Sequence, residues 1–228
     1  MGVIGYLDSV LAPLSLFLMI GYHTYVWQYF KHRQSQTTIG IDAIRRKSWF
    51  SHLEIEQATD KMGMLAVQSL RNTLMGTILT ATVSILISVA LAALTSNSYT
   101  QKHLFSNPIF GSQSDKIYVL KFGSASIFVS LSFLCSSMAV GYLIDANFLI
   151  NAFNELSSVE HTQMVFERGF LLATIGNRTL CVAFPLIIWL FGPVAMAVSA
   201  VALVWGLHGL DFAPKLVKRN VQKPNCEL

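Results

Sequence analysis

The chain has 228 residues, of which 53% are hydrophobic and 12% charged, with a formal net charge of +4 at pH 7. A soluble domain of this length carries about a quarter charged residues, so the shortfall argues for lipid as the solvent. No folded basic domain is present to support nucleic-acid binding.

Apolar residues cluster over 7–30, 73–94, 122–150 and 171–210, each holding the roughly 20 residues that span hydrocarbon. With no water inside a bilayer to satisfy the backbone, these segments must be helical, and the alternation of a membrane β-barrel is absent. The last run is about twice too long for one crossing. Gly192-Pro193 interrupts it, and proline suits the first turn of a new helix. A hairpin is therefore predicted, with one long kinked helix as the competing arrangement. The expected fold is all-α, a polytopic membrane bundle of about five transmembrane helices spanning 7–30, 73–94, 122–150, 171–191 and 193–210. Residues 1–212 form one membrane domain, with a basic loop at 31–72 inside it and a basic tail at 213–228.

Basic residues set the orientation. Lys31, Arg33, Arg45, Arg46, Lys47, Lys61 and Arg71 follow the first span, Arg168 and Arg178 the third, and Lys215, Lys218, Arg219 and Lys223 the fifth. Only Lys102, Lys116 and Lys121 fall on the alternate side. Because basic connections stay cytoplasmic, the N-terminus is expected outside or in a lumen and the C-terminus in the cytosol. Cys135, Cys181 and Cys226 have no metal-like spacing, and no cofactor is expected.

In the loop after the first span, Arg45, Arg46 and Lys47 stand beside Trp49 and Phe50. Such a mixture suits an amphipathic interfacial segment, with rings at headgroup level and cations on anionic lipid. The alternative is a topogenic flank that only fixes orientation. From Asp60 the pattern turns helical and runs without a breaker into the second span, while Asn107-Pro108 marks a turn in the outer loop.

The second span carries Thr73, Thr77, Thr80, Ser84 and Ser88, on one helical face by their steps of three and four. They would line an aqueous path or, more often, a packing face. Gly123, Ser126, Ser130, Ser137 and Gly141 on the third span form a matching row, which predicts close contact between spans two and three. Arg71, Asp145, Arg178 and Asp211 come from four different spans at similar depth. An unpaired ion there costs about 2.5–3.5 kcal/mol, so these four should pair. His23, Asn72 and Asn177 are the polar residues expected beside them. The cluster is either a clasp that fixes helix arrangement or a polar vestibule.

The blocks Tyr6-Leu7-Asp8, Gly21-Tyr22-His23, Thr38-Ile39-Gly40, Arg45-Arg46-Lys47-Ser48-Trp49, Leu65-Ala66-Val67-Gln68-Ser69-Leu70-Arg71-Asn72, Gly176-Asn177-Arg178, Trp189-Leu190-Phe191-Gly192-Pro193 and Leu210-Asp211 resemble, in this order, a membrane-protein family known as domain of unknown function 599. The similarity runs over about 6–212, departing at Asp42, where the family pattern has Asn. The resemblance implies a plant-like integral membrane protein, carries no activity, and draws interest to His23, Arg71, Asn72, Asn177, Arg178 and Asp211.

Two function classes lead. One is a small channel or transporter for an ion or polar solute, expected as a homo-oligomer because five short spans make a thin wall for one pore. The other is a membrane scaffold or lipid-binding adaptor whose basic loop meets anionic headgroups. No nucleophile–base pair, metal constellation or phosphate-binding glycine loop appears, so an enzyme is not expected.

Overall fold

The computed structural model describes residues 3–55, 60–97, 115–151 and 159–212. Among them are six α-helices: α1 (Val3–His32), α2 (Thr38–Ile55), α3 (Asp60–Ser96), α4 (Asp115–Asn151), α5 (Val159–Ile188) and α6 (Pro193–Asp211). All but α2 are long and apolar enough to cross a bilayer, over Asp8–His32, Val67–Ser96, Ile117–Ile150, Glu160–Phe191 and Pro193–Asp211. The basic tail, the Asn107-Pro108 turn and Cys226 lie outside the described residues.

The long apolar run turns rather than kinks. A 3₁₀ turn at Trp189–Phe191 closes α5, and the Gly192 amide donates to the Trp189 carbonyl at 3.0 Å. Gly192 has φ 134° and ψ 160°, a conformation that a Cβ essentially forbids. Pro193 then opens α6, where its missing amide hydrogen is no loss.

The expected loop segment after the first span is an 18-residue helix. Buried Thr37 caps it: its Oγ1 accepts the Gly40 amide at 3.2 Å and its carbonyl the Ile41 amide at 2.8 Å. A Cβ on Gly40 would collide with the Gln34 backbone, so only glycine lets the chain fold back so tightly here. The start of α2 is tied to the end of α6, since Thr37 bridges Phe212 and the Thr38 hydroxyl donates to the Leu210 carbonyl at 2.7 Å. Rings of Tyr25, Tyr29, His208 and Phe212 close over this junction.

In the bundle α4 lies between α3 and α5, and α6 returns against α1. One apolar core gathers Met19, Val129, Leu186, Trp189 and Met196; a second gathers Leu70, Leu143, Ala146, Ile150 and Phe166. Polarity is partly inverted. Ser84, Ser132, Ser136 and Thr162 are fully buried, whereas Phe17, Phe148 and Trp205 are at least 73% exposed. In water that surface would aggregate; in a bilayer lipid tails cover it, and small hydroxylated residues inside let helices approach closely.

The two helices α3 and α4 pack together as expected, with Ser84 meeting Ser132 across the contact. Of the expected row on α4, Gly123 and Ser126 are half-buried and Ser130, Ser137 and Gly141 exposed, whereas Ala125, Val129, Ser132, Ser136 and Ala139 make the buried face. Small residues permit close approach on either face, and the shape of α5 selects between them: a Cβ on Gly176 would run into Ser136 Oγ and lie 3.3 Å from the Ser132 carbonyl oxygen.

Candidate functional site

Of the four charges expected to pair, two do. Arg178 on α5 grips Asp211 at the end of α6 with both guanidinium nitrogens, one of them donating to Oδ2 at 2.7 Å and the other to Oδ1. The Tyr22 hydroxyl of α1 donates to the same Oδ2 at 2.5 Å. Asp211 is 1% exposed, so a carboxylate removed from water is held by a bidentate cation and a phenol, the pairing that repays its desolvation. Arg71, Asn72, Asp145 and Asn177 do not join. They sit exposed on the surfaces of α3, α4 and α5, and neither Arg71 nor Asp145 forms an ion pair among the described residues. A rotation of about 100° per residue separates Asn177 from Arg178, and depth alone did not fix azimuth.

His23 follows Tyr22 on α1, its ring edge-on to Tyr22 with centroids 5.5 Å apart. Its Nδ1 faces the Met19 carbonyl at 2.8 Å. That acceptor assigns the proton to Nδ1, leaving Nε2 a buried acceptor with no hydrogen-bond partner among the described residues.

A second clasp, at the opposite end of the bundle, was missed from sequence. Asp8 of α1 accepts the Trp189 indole N–H at 3.0 Å and stands 3.7 Å from Lys121 Nζ of α4. Both charged residues are buried, at 3% and 5% exposure, and the Lys121 ammonium lies 5.7 Å from the Trp189 ring centre. The charge pattern puts Lys121 in a connection; in the structure it is inside α4, within the candidate span. The signal was available in Asp8, an acid one residue into the first apolar run. One clasp thus joins α1, α5 and α6, and the other joins α1, α4 and the 3₁₀ turn that closes α5.

The hydroxyl stripe of α3 is turned inward. Thr77 and Ser84 are buried and Thr73, Thr80 and Ser88 half-buried. Thr77 and Thr80 donate to the carbonyls of Thr73 and Gly76 at 2.9 and 3.1 Å. Ser84 meets Ser132 of α4 at 3.1 Å, and Ser132 donates to the Gly176 carbonyl of α5 at 2.8 Å. These groups are engaged in backbone and interhelical bonds.

The basic segment divides. Arg45 is exposed and 3.9 Å from Asp42, and Lys47 is exposed. Arg46 is half-buried, its guanidinium 4.5 Å above the Phe170 ring of α5. Burial pulls the Arg46 pKa below its ordinary value, and the nearby Asp42 and Glu167 carboxylates oppose that; an arginine stays charged regardless. Trp49, expected at headgroup level, is half-buried, stacking on Phe166 with ring centroids 6.2 Å apart and packing against the second core. The α2 helix brings it there because that apolar ring gains more against Phe166 than at an exposed boundary.

Between α1, α2, α4 and α5 lies a cavity of about 790 Å³, within the roughly 300–1,000 Å³ of ligand pockets. Its lining is mostly apolar and graded along α5. Glu167 and Arg168 stand at one end with Arg46 and Lys47 of α2, and Ile175, Thr179 and Val182 run toward Phe128 and Leu131 of α4 at the other. From Met164 to Val182 the wall extends roughly 27 Å at 1.5 Å per residue. Arg178 lines it between Ile175 and Thr179, toward the far end, and His23 lines it from α1. The sequence did not announce this cavity, because it exists only where α2 folds back over α1 and α5.

Five apolar helices, an outward surface of large hydrophobic side chains and buried charges held in pairs define a multi-pass helical integral membrane protein. A family model described as "Protein of unknown function, DUF599" matches residues 10–216. The chain belongs to that family. No curated protein and no solved structure matches it.

Proposed function

We propose that this protein is a lipid-binding membrane adaptor that takes an amphiphile from the surrounding leaflet into the cavity between α1, α2 and α5. The basic connections face the cytosol in this reading, as the excess of Lys and Arg on one side favours, so α2 lies along the cytosolic surface. One observation carries it: a mostly apolar cavity of about 790 Å³ with Arg46, Lys47, Glu167 and Arg168 gathered at one end, and with His23 and the Asp211-held Arg178 as the ionisable groups farther along. The far wall sets Phe128, Leu131, Ile175 and Val182 beside Thr179 and an Arg178 already neutralised by Asp211, which suits an acyl chain better than an ion. The inward-turned hydroxyls of α3, bonded to carbonyls and to Ser132, weigh in the same direction.

Photoactivatable lipids test the reading. With the photoreactive group on the acyl chain, purified protein in bilayer discs should be labelled preferentially on Leu131, Leu171 and Ile175, and Ile175→Trp should abolish that labelling by filling the cavity. Labelling spread evenly over the outward faces of all five spans, unchanged in Ile175→Trp, would refute it.

A further inference from the structure

The charges at the mouth of the cavity are unequal. Arg46, Lys47 and Arg168 line it against a single carboxylate, Glu167. The other ions nearby are already matched: Arg178 is held by Asp211, and Arg45 lies beside Asp42 outside the cavity. Among the described residues the mouth therefore keeps a surplus of two positive charges. The cations come from two elements, α2 and α5, that close on each other across the opening. Arg46 is seated over Phe170, its guanidinium 4.5 Å from the ring centre, whereas Lys47 and Arg168 are exposed. Glu167 is itself engaged, accepting from Gln163 Nε2 at 2.8 Å.

An anion bearing about two charges matches that surplus, as a phosphomonoester does near neutrality, whereas a phosphodiester headgroup carries only one charge. Guanidinium groups suit phosphate oxygens through paired N–H donors, and a lysine adds a mobile point charge. Farther along, the wall is mostly apolar, with Thr174, Thr179 and the Asp211-held Arg178 among Leu171, Ile175, Phe128, Leu131 and Val182, so a free phosphate would leave most of the cavity unfilled. The acyl chains of a lipid fill it.

We infer that the occupant is an anionic lipid with a terminal phosphomonoester, its phosphate held by Arg46, Lys47 and Arg168 and its chains lying along α5 toward Phe128 and Leu131. This deepens the proposed function and rests on the cavity admitting an amphiphile. It also separates the three cations from Arg45, which stands on the same helix and outside the site. The headgroup contact is thus a pocket for one molecule, distinct from a general attraction of basic residues to an anionic surface.

The test is lipid binding to the delipidated full-length chain in detergent, followed by native mass spectrometry. Phosphatidate, phosphatidylserine and phosphatidylcholine of identical chains are the probes, with inorganic phosphate as competitor. Phosphatidate should bind about tenfold more tightly than phosphatidylcholine, with phosphatidylserine between. Lys47→Gln and Arg168→Gln should each weaken phosphatidate about fivefold, as expected for roughly one surface cation, and Arg45→Gln should leave it unchanged. Because Lys47 and Arg168 are exposed, these variants do not depend on the fate of Arg46→Gln, and an unaltered melting temperature confirms their fold. Equal binding of all three lipids, still blocked by Ile175→Trp, would overturn the headgroup assignment and leave the cavity reading standing. No binding of any lipid would remove both. Displacement of phosphatidate by millimolar inorganic phosphate, with a short-chain analogue binding as well as the long, would make the ligand a soluble phosphate and refute the lipid. Arg45→Gln matching Lys47→Gln would reduce the effect to surface attraction.

Discussion

Arg178 and Asp211 are 33 residues apart in the chain and meet through two parallel hydrogen bonds between α5 and α6, with Tyr22 of α1 on the same carboxylate. That contact holds the end of the last span, and with it the Thr38–Leu210 tie that positions α2 over the cavity. Removing the cation alone should leave a buried carboxylate without compensation, at a cost of about 3–5 kcal/mol. Arg178→Ala is expected to lose most folded protein in a detergent thermal melt. Arg178→Asp with Asp211→Arg should recover part of the loss, and Tyr22→Phe should cost less, about 1.5–3 kcal/mol for a hydrogen bond to a charged group. A double exchange no better than Arg178→Asp would contradict the pairing.

The Asp8–Lys121 pair predicts an asymmetry of the same origin. Asp8→Asn leaves a buried ammonium beside Trp189 and should destabilise strongly, by about 3–5 kcal/mol. Asp8→Asn with Lys121→Met removes both charges and should melt much closer to the parent. Additive losses in that cycle would mean the two residues act independently.

Gly176 should tolerate no side chain. Gly176→Ala drives a Cβ into Ser136 Oγ and to 3.1 Å from the Ser136 amide nitrogen, overpacking that costs about 1–3 kcal/mol. Ser136→Ala should be nearly neutral by itself, since that buried hydroxyl has no hydrogen-bond partner among the described residues, and should relieve part of the Gly176→Ala loss. Gly76→Ala, with nothing within 4 Å of the added carbon, is the control and should change the melt little.

Cysteine accessibility distinguishes the two faces of α3. A cysteine at Ser84, fully buried against Ser132, should resist a water-soluble thiol reagent in membranes, as should one at Thr77. A cysteine at exposed Arg71 or Asn72, near the end of the span, should react. Fast labelling at Ser84 and Thr77 would instead mark that face as a wetted route and revive a transport reading.

What could be read from the chain follows from what each property requires. The five apolar helices, the α3 start at Asp60 and the break at Gly192-Pro193 were legible. Hydrocarbon demands a local backbone solution from each crossing segment, and proline acts where it stands. The pairing of Arg178 with Asp211 was legible too, because a buried ion must find its counter-ion. That the partners were these two, without Arg71 and Asp145, was not: depth follows from position along a helix, whereas azimuth depends on which neighbours the helix meets. The same holds for Ser132 and Ser136 in place of Ser130 and Ser137.

By itself, then, the sequence determined that this is a membrane-spanning helical protein of its family, since length, apolarity and breakers act locally along the chain. Only the tertiary structure decided the rest: the clasp of Asp8 with Lys121, the withdrawal of Trp49 onto Phe166, and the cavity beneath α2. Each of these depends on side chains from separate helices arriving at one place. Helix rotation and packing fix that meeting, and no single stretch of residues encodes it.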